Sequence, residues 1–169
     1  MQIRSATSAD LELLRNFAER TFRIAYEADN DPVTFEEYCR QAFTLEQFQM
    51  EMEHPFSAFW LGWDDGQLVA YLKLNFDNHP ESLMTTHSVQ VERLYIEPTW
   101  QNKGLGAMAL DFAVDQAKKN DAEWIWLSVW KKNPSAVRFY ERCGFKILGT
   151  EIFYVADDPQ VDWLMGKPV

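Results

Sequence analysis

One stretch of the sequence constrains the fold more than any other, because a strand-like run, a loop with two glycines and a helix-like run follow each other directly. The run SVQVERLYIE (88–97) is rich in β-branched and apolar residues and predicts a strand. After a short turn comes QNKGLG (101–106), and the residues behind it place apolar side chains at helical spacing to about Lys119. A strand, a tight loop and a helix in this order indicate an α/β fold.

The remaining segments complete this picture of helices and strands around one sheet. Helices are predicted for residues 11–22, 33–43, 45–53 and 134–143, and strands for 3–6, 56–63, 67–76, 124–130, 145–155 and 161–167. Thr44 has the form of a capping box residue, and Asn133 precedes a proline at the start of its helix. The order of elements predicts an α/β fold with a mixed central sheet, in a single domain spanning residues 1–169.

Length and composition exclude several classes of protein. The net charge of −10 argues against a nucleic-acid-binding protein, which needs a basic face. The chain has no apolar run long enough for a membrane span, no secretion signal at its start and no Cys/His cluster of the kind that binds zinc. We therefore expect a cytoplasmic protein without a metal. Residues 1–100 hold 17 acidic against 7 basic residues, whereas residues 101–169 hold 9 of each, so the negative charge lies upstream of the glycine loop.

The glycine loop is a candidate anion site. Gly104 and Gly106 let the backbone approach a ligand closely, the following helix presents its positive end, and Lys103 adds a formal charge. An ordinary strand–helix turn would have the same spacing. Gly104, Gly106 and Ala109 also fit a dinucleotide-binding fingerprint, but no acidic residue ends the next strand, which runs into Lys131. The free N–H groups and the positive charge therefore favour an anion, and the dinucleotide fingerprint fits the sequence poorly.

Two motifs in the second half of the chain resemble those of the GNAT family of N-acetyltransferases. QNKGLG matches the family's Q/R-x-x-G-x-G/A loop, and AVRFYERCGF (136–145) matches the segment that follows about 30 residues later. The segments ERTFRIAYE, QAFTLEQFQMEM and FYVADDPQVDWLMGK are also similar to PaiA-type polyamine acetyltransferases. The resemblance implies a GNAT fold, with a mixed, mostly antiparallel sheet of about six to seven strands flanked by helices.

The resemblance also implies a cosubstrate, acetyl-coenzyme A, and residues that bind it. In this family the glycine loop holds the pyrophosphate, which corresponds here to Gln101, Asn102, Lys103, Gly104, Leu105, Gly106 and Ala107. The backbone of the preceding strand holds the pantetheine arm, at Leu94, Tyr95 and Ile96. Asn133 matches a residue that often contacts the cofactor, although it would serve equally as a helix cap. Arg142 and Arg138 on the same helix could reach the phosphates, or they could be solvated side chains.

Catalytic residues are implied in the same way. Tyr140 matches the tyrosine that protonates the departing thiolate, and a phenol with a pKa near 10 remains protonated at neutral pH, as an acid must. Glu92, on the strand that faces the thioester, is the candidate base, acting through water. Each residue has a structural alternative: Tyr140 as a core aromatic and Glu92 as the partner of a cation.

The acceptor is expected to be a small-molecule amine, with a polyamine such as spermidine or spermine favoured by the acidic first half of the chain. Part of its site is expected at Tyr26, Glu27, Asp29 and Asp31, between the first helices, where the family builds acceptor sites. A protein or peptide amine and a coenzyme A-binding regulatory role remain as alternatives. The protein is expected to be a monomer or a homodimer.

Overall fold

The computed structural model describes residues 1–80, 83, 85 and 87–169. The strands are β1 (Gln2–Ser5), β2 (Ser57–Asp64), β3 (Gln67–Asn75), β4 (Ser88–Ile96), β5 (Trp124–Trp130), β6 (Lys146–Val155) and β7 (Asp158–Pro168). The helices are α1 (Leu11–Tyr26), α2 (Pro32–Ala42), α3 (Leu45–Glu53), α4 (Leu105–Lys119) and α5 (Pro134–Arg142). The predicted elements are thus confirmed, with ends that differ by a few residues.

All seven strands form one sheet in the order β1-β2-β3-β4-β5-β7-β6. Neighbouring strands run antiparallel except β4 and β5, which are parallel because α4 crosses over between them. The sheet confirms the predicted mixed, mostly antiparallel architecture with flanking helices.

Each face of the sheet carries its own hydrophobic core. On one face, helix α4 buries Leu110, Ala113 and Ala117 against strand residues that include Leu74 and Leu127. We call this the α4 face. On the other face, α1, α2 and α3 cover the strands, and this α1 face has the core residues Leu14, Phe17, Ala18, Phe35, Cys39, Phe48, Phe59, Leu61 and Tyr71. Since both faces of the central strands are covered, β5 is apolar along most of its length.

The helices begin at side chains that satisfy their free N–H groups. Thr44 Oγ1 accepts a hydrogen bond from the backbone N–H of Gln47 at 3.0 Å, and Asn133 Oδ1 accepts one from Ala136 at 3.1 Å. Both caps agree with the sequence prediction, and each is worth about 1 kcal/mol. In the described residues no helix is long and apolar enough to cross a membrane.

Candidate functional site

The most unusual feature of the sheet is a gap between its two parallel strands. β4 and β5 pair only at their first residues, and the last pair is Gln90 with Trp126. β4 nevertheless continues to Ile96 and β5 to Trp130, without further pairing between their described residues. The backbone groups along this inner edge of β4 therefore face a widening gap, and an extended molecule with amide groups could pair with them as an added strand does.

The glycine loop follows the end of β4, beyond the part of this strand that does not pair with β5. Gly104 has φ +80°, a left-handed conformation that residues with side chains rarely adopt, and a Cβ added there would have no atom of the described residues within 4 Å. The loop ends at Leu105, where the N-terminal N–H groups of α4 begin. Lys103 places its Nζ 4.4 Å from the centre of the Trp100 ring, and Gln101 donates to the carbonyl of Ile96 at 3.3 Å.

The second glycine of the motif has a different structural role. A Cβ at Gly106 would approach the Phe139 ring to 3.2 Å, so Gly106 allows α4 to pack closely on α5. The two glycines are thus distinguishable: Gly104 is required by backbone conformation at an open position, and Gly106 by contact between helices. A substitution at Gly106 would disturb this packing, which the sequence could not show.

The candidate cofactor residues on β4 differ in the faces that their side chains occupy. Leu94 packs against the α4-face core, whereas Tyr95 stacks on Tyr71 at 5.4 Å between ring centres on the α1 face. Ile96 is half-buried near Gly106, and Arg142 is exposed at the end of α5. Asn133 serves as the cap of α5. The side chains of Leu94 and Tyr95 are thus engaged in packing, while the β4 backbone faces the gap.

Tyr140 lies on α5 in an aromatic environment. Its ring centre is 5.1 Å from that of Phe139 and 5.8 Å from that of Phe145. Burial raises the pKa of Tyr140 above its ordinary value, and the negative charge that Tyr26 could carry acts in the same direction. The phenol therefore remains protonated throughout the physiological range, as a proton donor must.

Glu92 occupies a bulge in β4. Lys73 pairs with Arg93 and Leu74 with Val91, so Glu92 has no residue opposite it on β3. The bulge turns two consecutive side chains, Glu92 and Arg93, toward α3. This is a local irregularity that strand alternation could not predict.

Charged partners hold the Glu92 carboxylate in place. Lys73 Nζ lies 2.7 Å from Glu92 and 2.8 Å from Glu51, and Arg93 contacts Glu51 at 2.8 Å and Glu92 at 3.3 Å. The amide of Asn75 also donates to Glu92. The pairing that sequence analysis gave as the structural alternative for Glu92 is therefore present, and its role as a base stays a prediction.

The four predicted acceptor residues have different surroundings. Tyr26 packs edge-on against Trp130 with 6.0 Å between ring centres, and burial raises the pKa of its phenol. Glu27 and Asp29 are exposed, and Glu27 pairs with Arg23 at 3.5 Å. Asp31 caps α2 by accepting hydrogen bonds from two backbone N–H groups at 3.0 Å.

Of these four, Tyr26 is the residue that lies beside the gap-lining strands. The Asp31 carboxylate caps α2. The hydrogen bonds that it accepts, above all the one from the backbone N–H of Thr34, lower its pKa. Exposed Glu27 and Asp29 contribute negative charge near the surface. Their direct contact with an acceptor stays a prediction.

Sequence analysis missed a pair of carboxylates on the α1 face beyond β5. Asp162 on β7 lies directly opposite Glu151 on β6 and, on its other side, opposite Trp130 on β5. Asp162 is only 8% exposed, and Ser128 on β5 donates a hydrogen bond to Glu151. Burial, reinforced by the charge of Glu151, raises the pKa of Asp162 to about 6. The only signal in the sequence was acidic residues inside strands, where they are depleted.

Comparison with known proteins identifies relatives over almost the full length. The chain is 26% identical to an uncharacterized N-acetyltransferase of Lactobacillus delbrueckii subsp. lactis, across 99% of this chain and 96% of the relative. A second relative is the [ribosomal protein bS18]-alanine N-acetyltransferase of Salmonella typhimurium, 28% identical across 54% of this chain and 64% of its own length.

Two solved structures share the fold. The PaiA N-acetyltransferase of Thermoplasma acidophilum in complex with coenzyme A superposes with a TM-score of 0.77 at 22% identity, covering 99% of this chain and 98% of that one. The spermidine N-acetyltransferase of Vibrio cholerae in complex with CoA and spermine gives 0.73 at 18% identity, covering 99% and 94%.

The model of the acetyltransferase (GNAT) family matches residues 12–145, well over half of the chain, and includes both β4 and the glycine loop. This match agrees with the resemblance of QNKGLG and AVRFYERCGF to the family's motifs. The chain therefore belongs to the acetyltransferase (GNAT) family and is an N-acetyltransferase.

Proposed function

We propose that this N-acetyltransferase moves the acetyl group of acetyl-CoA to a primary amine of a polyamine. The observation that carries the proposal is the gap between β4 and β5, which opens beyond the Gln90–Trp126 pair toward the glycine loop. One elongated ligand that joins amide groups to a pyrophosphate fits both features, and coenzyme A has this chemistry. The coenzyme A complexes of the two structural neighbours support the same cosubstrate.

In this arrangement the pantetheine arm pairs with the backbone of Leu94, Tyr95 and Ile96. The pyrophosphate lies on the backbone N–H groups of residues 101–107, where the positive end of α4 stabilises it. The Gly104 position is open enough for this approach. Asn133 and Arg142 remain candidate contacts at the start and end of α5.

The chemistry requires two proton transfers and no covalent enzyme intermediate. The neutral amine nitrogen attacks the thioester carbonyl carbon, a C–N bond forms, and the C–S bond breaks. Tyr140 gives its proton to the departing thiolate sulfur. Glu92 receives the proton that the amine loses, through a water molecule. The protonated state of Tyr140 supports the first role, and the position of Glu92 two residues beyond the last β4–β5 pair supports the second.

Two observations favour a polyamine as the acceptor. The chain carries a net charge of −10, which attracts a polycation. One structural neighbour is a spermidine N-acetyltransferase in complex with spermine. The Salmonella relative, which acts on an alanine of a ribosomal protein, favours a second candidate, an N-terminal peptide amine.

An acceptor screen with free thiol as the readout tests the proposal. Spermine, spermidine, putrescine, butylamine and a peptide with an N-terminal alanine are each incubated with acetyl-CoA and the protein. We expect the highest kcat/KM for spermine or spermidine. Acetylation of the peptide alone would replace the polyamine with the second candidate, and release of thiol with none of these amines would contradict both.

A further inference from the structure

The carboxylates of Glu151 and Asp162 form an arrangement that is unfavourable without a cation. They lie directly opposite each other on adjacent antiparallel strands, where like charges repel. Asp162 is more than nine-tenths buried, and its Oδ1 atom is buried without a hydrogen-bond partner among the described residues. A buried, unpaired oxygen of this kind is costly, so its presence calls for an explanation.

No basic side chain in the described part of the chain neutralises this pair. Neither carboxylate is within 4.0 Å of a Lys or Arg nitrogen among those residues. Glu51, by contrast, has both Lys73 and Arg93 as partners. The pair thus resembles half of an ion-pair network whose cation is not supplied by the described residues.

This pair lies on the β5 side of the gap, with Asp162 one strand and Glu151 two strands beyond β5. Ser128, which donates to Glu151, and Trp130, which faces Asp162, lie two and four residues beyond the last β4–β5 pair. At about 3.3 Å per residue they are roughly 7 and 13 Å along β5 from the point where the strands part. The two carboxylates therefore lie on the β5 side of the gap, whereas Glu92 lies on the β4 side.

Aromatic rings on the same face suit an alkyl ammonium ion. Tyr26 meets Trp130 edge-on at 6.0 Å, and Tyr38 meets Phe153 at 5.7 Å. Phe153 is two residues from Glu151 on β6 and so lies on its face. Aromatic surfaces attract ammonium groups and pack against methylene groups. Aromatic rings and two carboxylates are together complementary to a chain of amines separated by methylenes.

We propose that Glu151 and Asp162 bind an ammonium group of the acceptor other than the one that is acetylated. The proposal rests on the proposed polyamine function and names the residues that give it specificity. It differs from the site expected at Glu27, Asp29 and Asp31, because the decisive carboxylates come from β6 and β7. A monoamine has no second ammonium group and gains nothing from this site.

The experiment compares the wild type with Asp162→Asn, Glu151→Gln and a control, Asp115→Asn. Asp115 is an exposed carboxylate on α4, so the control removes the same charge on the other face of the sheet. The kcat/KM ratio of spermidine to butylamine is measured for each protein, together with acetyl-CoA affinity. We expect Asp162→Asn and Glu151→Gln to lower the ratio about 10- to 100-fold, as loss of a charged hydrogen-bond partner does. Acetyl-CoA affinity should be unchanged in all three variants, and Asp115→Asn should keep the wild-type kcat/KM ratio.

A pH series separates this role from a merely structural one. The charged or titratable groups around Asp162 are Glu151 on β6 and Tyr26 on α1, while Lys132 lies over the Trp130 ring. Protonation of Asp162 removes its attraction for a cation, so the wild-type KM for spermidine should rise as the pH falls through about 6. Asp162→Asn should lack this rise, and Asp115→Asn should keep it.

The possible results distinguish the two proposals. A wild type that does not prefer spermidine over butylamine would overturn the polyamine function and this site with it. A wild-type preference that survives in both Asp162→Asn and Glu151→Gln would overturn the site alone. Should Asp162→Asn fail to fold, Glu151→Gln decides the matter, because Glu151 is only partly buried.

Discussion

Tyr140 is the residue for which chemistry and environment agree most closely. Its phenol is held among Phe139 and Phe145, and burial raises its pKa. Tyr140→Phe keeps the ring and removes the proton, so we expect kcat to fall about 10²- to 10⁴-fold, the usual contribution of general acid catalysis. Acetyl-CoA affinity should change little. Single-turnover kinetics and calorimetric binding measure the two effects.

Tyr154→Phe is the matched control for this prediction, since Tyr154 is 59% exposed on β6. Its turnover should equal that of the wild type. If Tyr140→Phe also retained the wild-type single-turnover rate, Tyr140 would be a packing residue only.

Gly104 offers a clean test of the glycine loop, because its position is open in the structure. Asn tolerates a left-handed backbone better than most other residues with side chains, and no atom in the described part of the chain lies within 4 Å of an added Cβ. Gly104→Asn should therefore fold normally, yet its side chain would occupy the space proposed for the pyrophosphate. We expect acetyl-CoA affinity to fall at least tenfold, which is about 1.4 kcal/mol, by calorimetry.

The hairpin turn between β2 and β3 supplies the control for this substitution. Gly66 has φ +74°, and an added Cβ would again be more than 4 Å from every other described residue that could contact it. Gly66→Asn carries the same backbone strain away from the loop and should bind acetyl-CoA as the wild type does. Equal affinities for the two variants would remove the loop from the cofactor site.

At the scale of elements, pairing between strands creates features that single residues do not have. The Glu151–Asp162 pair exists because β6 and β7 align these two positions. The folded state raises the pKa of Asp162 from 3.8 to about 6, so the native protein holds this proton more tightly than the unfolded chain. The resulting stabilisation is complete below pH 3.8 and is lost as the pH rises through about 6.

It follows that Asp162→Asn should unfold less readily than the wild type at pH 7.5. The size of the pKa shift of Asp162 corresponds to a difference in the free energy of unfolding of the order of 2–3 kcal/mol. This difference should shrink as the pH approaches 4. Urea denaturation of both proteins at several pH values measures this. Asp115→Asn should follow the wild type, and an Asp162→Asn curve parallel to both would show that Asp162 titrates normally in the folded state.

The sequence predicted elements well wherever a signal is local. The helix caps at Thr44 and Asn133 depend on residues three positions apart, and both were correct. The bulge at Glu92 and the gap beyond Gln90 depend on how β4 aligns with β3 and β5. Such alignment is set by tertiary packing between distant segments, so the pattern of residues within one strand does not predict it.

The candidate site shows the same division. The glycine loop and Tyr140 could be proposed from the sequence because each belongs to a continuous motif. The set of Ser128, Glu151 and Asp162 comes from three strands and has no motif. Charge counting even pointed elsewhere, since residues 101–169 are neutral overall although they contain this acidic pair. A net charge sums over exposed and buried groups alike and does not locate a site.

Charge at the scale of the whole molecule acts mainly through long-range attraction. The net charge of −10 raises the local concentration of a polycation, and exposed carboxylates such as Glu27 and Asp29 add weak contacts. Exposed ion pairs are worth only about 0–1 kcal/mol each, and salt screens them beyond about 10 Å at 0.1 M. Buried carboxylates are screened much less.

The salt dependence of specificity should therefore have two parts. Raising the salt from low to high should reduce kcat/KM for spermine more than for putrescine, and for putrescine more than for butylamine. Each ammonium group is attracted by the negative charge of the protein, and salt screens this attraction. A preference for polyamines should nevertheless persist at high salt, because Asp162 is shielded from solvent. Steady-state kinetics of the three amines at both salt concentrations measure this. Complete loss of the preference at high salt would assign it to surface charge and leave no part for the buried pair.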